Sequence, residues 1–184
     1  MEFNLLCHPQ SPMPAIESVH VQVLRTEPRL ISLTYTVVGD ISTIVMPLIM
    51  SQERADDLWR TTCFELFLAR PGEDSYLELN FSPCSRWAAY RFTDYRAGRK
   101  DMELVSVPRL DMRVSAGSLE LGVVVDLTCV SPETVETGWQ AGLSAIIEGR
   151  DGTRSYWALA HPAGDPDFHN RDCFTTILEA PATE

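Results

Sequence analysis

The sequence predicts an all-β protein, an antiparallel β-sandwich of jelly-roll-like form with few or no helices. Three observations carry this expectation. Apolar residues recur at every second position in many short runs, the period of a half-buried strand. The runs recur at roughly 8–12 residue spacing and are separated by connections rich in Gly, Pro, Asp and Ser. No stretch sustains the 3.6-residue period of an amphipathic helix. No linker or repeat divides the 184 residues, so residues 1–184 read as a single domain, long enough for a substantial core.

The elements follow in order. Residues 4–8 read as a short first strand, ended by the turn residues Pro9, Pro12 and Pro14. Val19, Val21 and Val23 alternate with His20, Gln22 and Leu24. Residues 30–38 follow, with Leu33, Tyr35 and Val37 on one side and Thr34 and Thr36 on the other, up to Gly39. Residues 41–50 are apolar and β-branched, with Pro47 marking an edge or a bulge. Ser51 is placed to cap a single helical turn through Ala55.

Residues 58–95 then hold three apolar-alternating runs with short connections, the signal for consecutive antiparallel strands. Cys63, Glu65 and Phe67 share one face of the first run, and Tyr76, Glu78, Asn80 and Ser82 share one face of the second. In the third run, Trp87, Ala89 and Arg91 oppose Ala88, Tyr90 and Phe92. If the apolar faces meet in one core, Glu65, Glu78, Asn80 and Arg91 collect on the opposite surface. That surface is either a solvated outer face or a polar platform edged by Trp59 and Trp87.

Beyond it, residues 94–101 read as a polar loop. Residues 110–114 and 119–127 alternate on either side of Ala116 and Gly117 as a long hairpin. Ser131 and Pro132 signal the start of a short helical turn. Residues 143–148 and 155–159 flank Gly149 and Gly152 as another hairpin, residues 160–171 form a loop, and residues 173–178 make the last strand. The tail after Glu179 is expected to fray.

Composition excludes some partners. With 15 Lys and Arg against 26 Asp and Glu the net charge is −11, which disfavours nucleic-acid backbones and anionic membrane surfaces. The first residues lack the basic and apolar regions of a secretory signal, and no run of about 20 apolar residues offers a membrane span, so the expected location is cytoplasmic. The five cysteines are scattered without CxxC pairing, which suits reduced thiols rather than a structural zinc site.

Three groups of residues are candidates for chemistry. Trp59 follows a polar segment and precedes a strand, at a sheet end where binding loops gather; a Trp there stacks on flat ligand faces, whereas a Trp inside a strand usually caps the core. The loop HPAGDPDFHNRD concentrates His161, Asp167, His169, Arg171 and Asp172, either as a site or as groups that satisfy turn backbone. Glu65 and Glu78, if directly opposed on adjacent strands, would bring two carboxylates together. Such a pair serves glycoside hydrolysis, cation binding, pairing with Arg91, or plain hydration.

The segments LWRTTCFELFL, YLELNFSPCSRWAAYRFTDYR and SYWALAHPAGDPDFHNRDCF resemble bacterial DOMON-like proteins related to family 9 carbohydrate-binding modules, over residues 54–178. The resemblance implies a jelly-roll-like sandwich with a ligand cleft between loops and sheet, taking sugars or haem. It implies an aromatic clamp, for which Trp59 and Trp157 are the candidates, or axial haem ligation, for which His161, His169 and the methionines are available.

The function expected from these features is non-catalytic binding of a small carbohydrate or sugar derivative, with no required cofactor. Trp59 and Trp157 would stack. Glu65, Glu78, Asn80, Arg91, His161 and His169 would offer hydrogen bonds, because carboxylates, amides, imidazoles and guanidinium groups together present donors and acceptors. The alternatives are a haem or redox domain, a glycoside-processing enzyme using Glu65 and Glu78, and a scaffold with no small ligand.

Overall fold

A computed structural model describes residues 1–48, 50–130 and 138–181. The strands are β1 (Glu2–Cys7), β2 (Ile16–Glu27), β3 (Leu30–Gly39), β4 (Cys63–Ala69), β5 (Tyr76–Phe81), β6 (Trp87–Phe92), β7 (Lys100–Asp101), β8 (Arg109–Val114), β9 (Ser118–Asp126), β10 (Trp139–Glu148), β11 (Arg154–Ala158) and β12 (Thr176–Leu178). All pair antiparallel, and the only helical pieces among the described residues are three short 3₁₀ turns. The protein is therefore all-β, as its alternation predicts.

One sheet runs β8-β9-β3-β2-β1 and the other β7-β6-β5-β4-β10-β11, with β12 also on β10. Strand β1 belongs to both. Residues 2–5 pair with β2, whereas Leu6 and Cys7 pair with β11. A strand that changes sheets in this way forms a corner of the sandwich. Between the sheets lies the main core, in which Leu33, Tyr35 and Val37 of β3 meet Phe64, Leu66 and Leu68 of β4. Burial of these side chains is the principal stabilising contribution, roughly 1.5–3 kcal/mol for each large apolar group. Tyr35 reaches across the core, and its hydroxyl donates to the Glu65 carbonyl at 2.7 Å. A phenol buried this way needs such a partner, and the bond fixes one sheet against the other.

The two sheets differ on their outer faces. In β3 and β9 buried and half-buried positions alternate strictly, so the outer face of the first sheet is wet. In β4 and β5 every residue is buried. Their second face carries another apolar cluster, including Phe67, Tyr76, Phe92, Ile146, Phe168 and Phe174. Gly142 of β10 makes room for it: a Cβ there would stand 2.8 Å from Cδ1 of Phe174.

Local expectations fail where tertiary context outweighs local pattern. Among the described residues of the range 41–50, no strand forms. Asp40 caps a 3₁₀ turn at Ile41–Thr43, accepting from the Ser42 N–H, and Ile44 makes only an isolated bridge to Gly149. No helical turn forms at Ser51; a 3₁₀ turn occurs instead at Leu58–Arg60 and carries Trp59. The loop 94–101 ends in β7, and the last expected strand is a 3₁₀ turn at Arg171–Cys173 followed by β12. The turn expected at Ser131 lies outside the described residues, as do residues 182–184 of the tail.

Candidate functional site

The outer face of the second sheet forms the floor of a cleft of about 560 Å³. Glu65 and Glu78 lie on that floor, and Ile146 and Tyr156 extend it onto β10 and β11. Phe92, Pro166 and Phe168 line its apolar side, and Trp59, Tyr90, Arg96, Arg99 and His169 complete the lining. A cleft that sets apolar walls beside convergent polar groups is a usual form of a small-molecule site.

Strand register sets the floor. Glu65 pairs with Asn80 on one side and Ser144 on the other, while Glu78 pairs with Phe67 and Tyr90. The two carboxyls are therefore diagonal neighbours on adjacent strands rather than directly opposed. Asn80 Nδ2 donates to Glu78 Oε1 at 2.7 Å, and Ser144 Oγ donates to Glu65 Oε2 at 3.1 Å. Burial raises the pKa of both carboxyls. Glu65 is pushed up to about 8, by desolvation first and by the Glu78 charge second. Glu78 is also raised by desolvation, but the Asn80 hydrogen bond and the charges of Arg99 and Arg96 counteract the rise.

His169 sits among the rings of Phe67, Tyr76 and Phe92, with centroids between 5.2 and 5.8 Å away. This burial, assisted by Arg96, lowers its pKa to about 4, so the ring is neutral at pH 7. Its Nδ1 is 2.7 Å from the Tyr76 hydroxyl, which itself accepts the Arg96 N–H at 3.1 Å. Glu78 Oε2 lies 3.8 Å from Nε2 and favours the tautomer with the imidazole hydrogen on Nε2, in which the phenol donates to Nδ1. Asp167 ties the loops together: it accepts from Arg96 Nη2 at 2.7 Å and from the Tyr95 hydroxyl.

Trp59 is 44% exposed, and the guanidinium of Arg60 lies 5.0 Å from its ring. Tyr90 donates to Asp56 at 2.7 Å, and the Arg99 guanidinium lies 4.9 Å from the Tyr90 ring.

The expected site residues thus separate. Trp59, Glu65, Glu78 and His169 all line the cleft. Asn80 lies beneath them, fully buried, and its amide N–H is engaged by Glu78, so it positions that carboxyl. Arg91 is a correction. It pairs with Leu77 and so points to the other side of the sheet, beside Leu68, Val130 and Trp139. Trp157 is another: it is 5% exposed, packs in the main core and donates its indole N–H to Ser155 at 2.9 Å. Trp157 therefore forms no clamp with Trp59, and the aromatic residue that β11 gives the cleft is its neighbour Tyr156. Trp87, expected at the platform's edge, is likewise in the main core. His161 stands behind the cleft wall, where its Nε2–H donates to the Leu6 carbonyl at 2.8 Å and its ring meets His8 edge-on.

Tyr90, Phe92, Arg96, Arg99, Ile146, Tyr156, Pro166 and Phe168 line the cleft without having been singled out from sequence. For Tyr90 and Phe92 a signal existed, since antiparallel pairing puts them on the face of Glu78 and Tyr76. The lining does not suit haem. It contains no methionine, and the one histidine in it is held at Nδ1 by Tyr76 and faces Glu78 through Nε2. Among the described residues no group of three His, Cys, Asp or Glu side chains could hold a metal ion, and no helix is long and apolar enough to cross a membrane.

Comparison with known proteins supports the fold. No family model and no curated protein matches the chain. A candidate carbohydrate-binding protein from Bacteroides uniformis has a similar structure, with a TM-score of 0.68 at 16% identity, over 94% of this chain and 83% of that one. A family 9 carbohydrate-binding module from Caldicellulosiruptor kristjanssonii, solved with glucose, matches with a TM-score of 0.58 at 8% identity, over 95% and 81%. The chain has the β-sandwich fold of such modules.

Proposed function

We propose that the cleft binds a small carbohydrate or sugar derivative, and that residues 1–184 act as one binding module. The observation that carries this reading is the exposed indole of Trp59 in the lining of a cleft floored by two buried carboxyls. A sugar ring offers an apolar C–H face for stacking and a rim of hydroxyls that both donate and accept. Trp59 suits the first. Glu65 in its protonated form donates, Glu78 accepts, and Arg99 donates, which suits the second. The fold shared with a glucose-bound module supports the same reading, as does the resemblance of the sequence to DOMON-like proteins.

Thermal denaturation against a panel of mono- and disaccharides and sugar phosphates tests it. A ligand that binds only the folded state stabilises it by RT ln(1 + [L]/Kd), about 3 kcal/mol at 100 times Kd, and so raises the melting temperature. A shift with at least one sugar is expected. No shift across the panel at 100 mM would remove the reading.

A further inference from the structure

We propose that this cleft also interconverts the α and β anomers of a free aldose, with Glu78 as the base and Glu65 as the acid. The inference rests on the carbohydrate reading of the same cleft and adds a reaction to it.

The surroundings of the two carboxyls assign the roles. Glu78 is surrounded by groups that favour its ionised form: the Asn80 amide at 2.7 Å, the Nε2–H of His169 at 3.8 Å, and the guanidinium groups of Arg96 and Arg99 in the same lining. Glu65 accepts from one hydroxyl, Ser144; the Glu78 charge acts on it more strongly than that of Arg96, and among the described residues no cation pairs with it. Two buried carboxyls so placed share one proton, and it resides on Glu65. The raised pKa of Glu65, about 8, agrees with this and keeps an acid available at neutral pH.

Geometry then selects the reaction. Both carboxyls project from one face of one sheet, as diagonal neighbours. They reach the same side of a bound ring. Glycoside cleavage by two carboxyls needs them to flank the scissile bond. Anomer exchange does not: the two oxygens involved, the ring oxygen O5 and the hydroxyl O1, are borne by a single carbon. Glu78 removes the O1 proton, the O1 electron pair forms the carbonyl, the C1–O5 bond breaks, and O5 takes the proton of Glu65. Rotation about C1–C2 turns the other face of the aldehyde toward O5. Ring closure then reverses each transfer: O5 attacks C1 and returns its proton to Glu65, while O1 recovers the proton from Glu78. Atoms and charges balance, and no co-reactant is needed.

The test follows the approach to anomeric equilibrium of freshly dissolved α-D-glucose, α-D-galactose and α-D-xylose by NMR, with calorimetric titration of the same sugars in parallel. Wild-type protein is expected to accelerate equilibration of a sugar it binds, with a bell-shaped pH dependence. Glu65→Gln and Glu78→Gln, checked for an unchanged melting transition, are each expected to lower that rate at least about 100-fold. The wild-type pH profile is readable even if a variant fails to fold. A sugar that binds while its anomers equilibrate at the buffer rate overturns the inference and leaves the binding function standing. Acceleration that survives both substitutions overturns the assignment, and absence of binding by any of these sugars overturns the reaction on them.

Discussion

His169 Nε2 lies 3.8 Å from Glu78 Oε2, and the Tyr76 hydroxyl, 2.7 Å from Nδ1, holds the ring there from behind. A neutral imidazole among three aromatic rings thus presents its N–H to a buried carboxyl.

Removing the hydroxyl should show it. In Tyr76→Phe the part-buried Nδ1 of His169 and the Arg96 N–H both lose their partner. A buried group left unsatisfied costs about 1–3 kcal/mol, so a lower denaturant midpoint is expected. The ¹⁵N shifts of His169 should also move away from a single Nε2–H tautomer. An unchanged tautomer in this variant would mean that Tyr76 does not orient the ring.

Stability should fall as pH rises above neutrality. A carboxyl whose folded pKa exceeds its unfolded one keeps a proton that the unfolded chain has released. Its contribution is full below the ordinary 4.5 and is lost as pH rises to about 8. His169 acts in the opposite sense. Its folded pKa of about 4 lies below the ordinary 6.5, so its contribution is present above 6.5 and is lost as pH falls toward 4. The two effects oppose each other between 4.5 and 6.5. From 6.5 to 8 the His169 contribution is complete and the raised carboxyls set the slope, with Glu65 alone lowering the folding constant by up to roughly tenfold per pH unit and Glu78 acting in the same sense. Denaturant titrations at pH 6.5, 7.2 and 8 check this, and Glu65→Gln should flatten the slope.

Trp59→Ala should weaken sugar binding about tenfold or more, because stacking on an aromatic face contributes on the order of 1 kcal/mol beyond the area covered. The melting temperature of the free protein should change little, since the indole is 44% exposed. Calorimetric titration of the variant beside the wild type separates the two effects.

The alternation of residues 63–67 and 76–82 made the polar floor legible, and Trp59 was legible from its place before a strand. Parity failed where both faces of a strand are apolar. Tyr156 and Trp157 are adjacent aromatics on β11, and nothing in SYWALA says which one faces the core; pairing with β10 decides it. Arg91 is the converse case. It shares parity with Trp87 and Ala89, which alone would have sent it away from the floor, yet its charge suggested the wet surface. The floor itself proved more covered than its glutamates suggested, because Phe168 and Phe174 come from a loop and a turn remote in sequence. The diagonal placement of Glu65 and Glu78 depends on the register of the hairpin joining β4 and β5, which alternation leaves open.

Gly142 is a sharp test of that cover. A Cβ at this position meets Cδ1 of Phe174 at 2.8 Å, so Gly142→Ala must displace the ring. Overpacking of this kind costs about 1–3 kcal/mol, and a correspondingly lower melting temperature is expected. An unchanged melting temperature would mean that the ring moves aside freely.

The most direct measurement is a ¹H–¹⁵N NMR titration with a sugar from the thermal panel, reading backbone, indole and imidazole signals together. Binding in the cleft predicts saturable shifts at the Trp59 indole, the Glu78 and Arg99 amides and the His169 ring, with the Trp157 and Trp139 indoles in the core undisturbed. Saturable shifts confined to another face, or no shifts with any sugar that raised the melting temperature, would contradict the assignment of this cleft as the carbohydrate site.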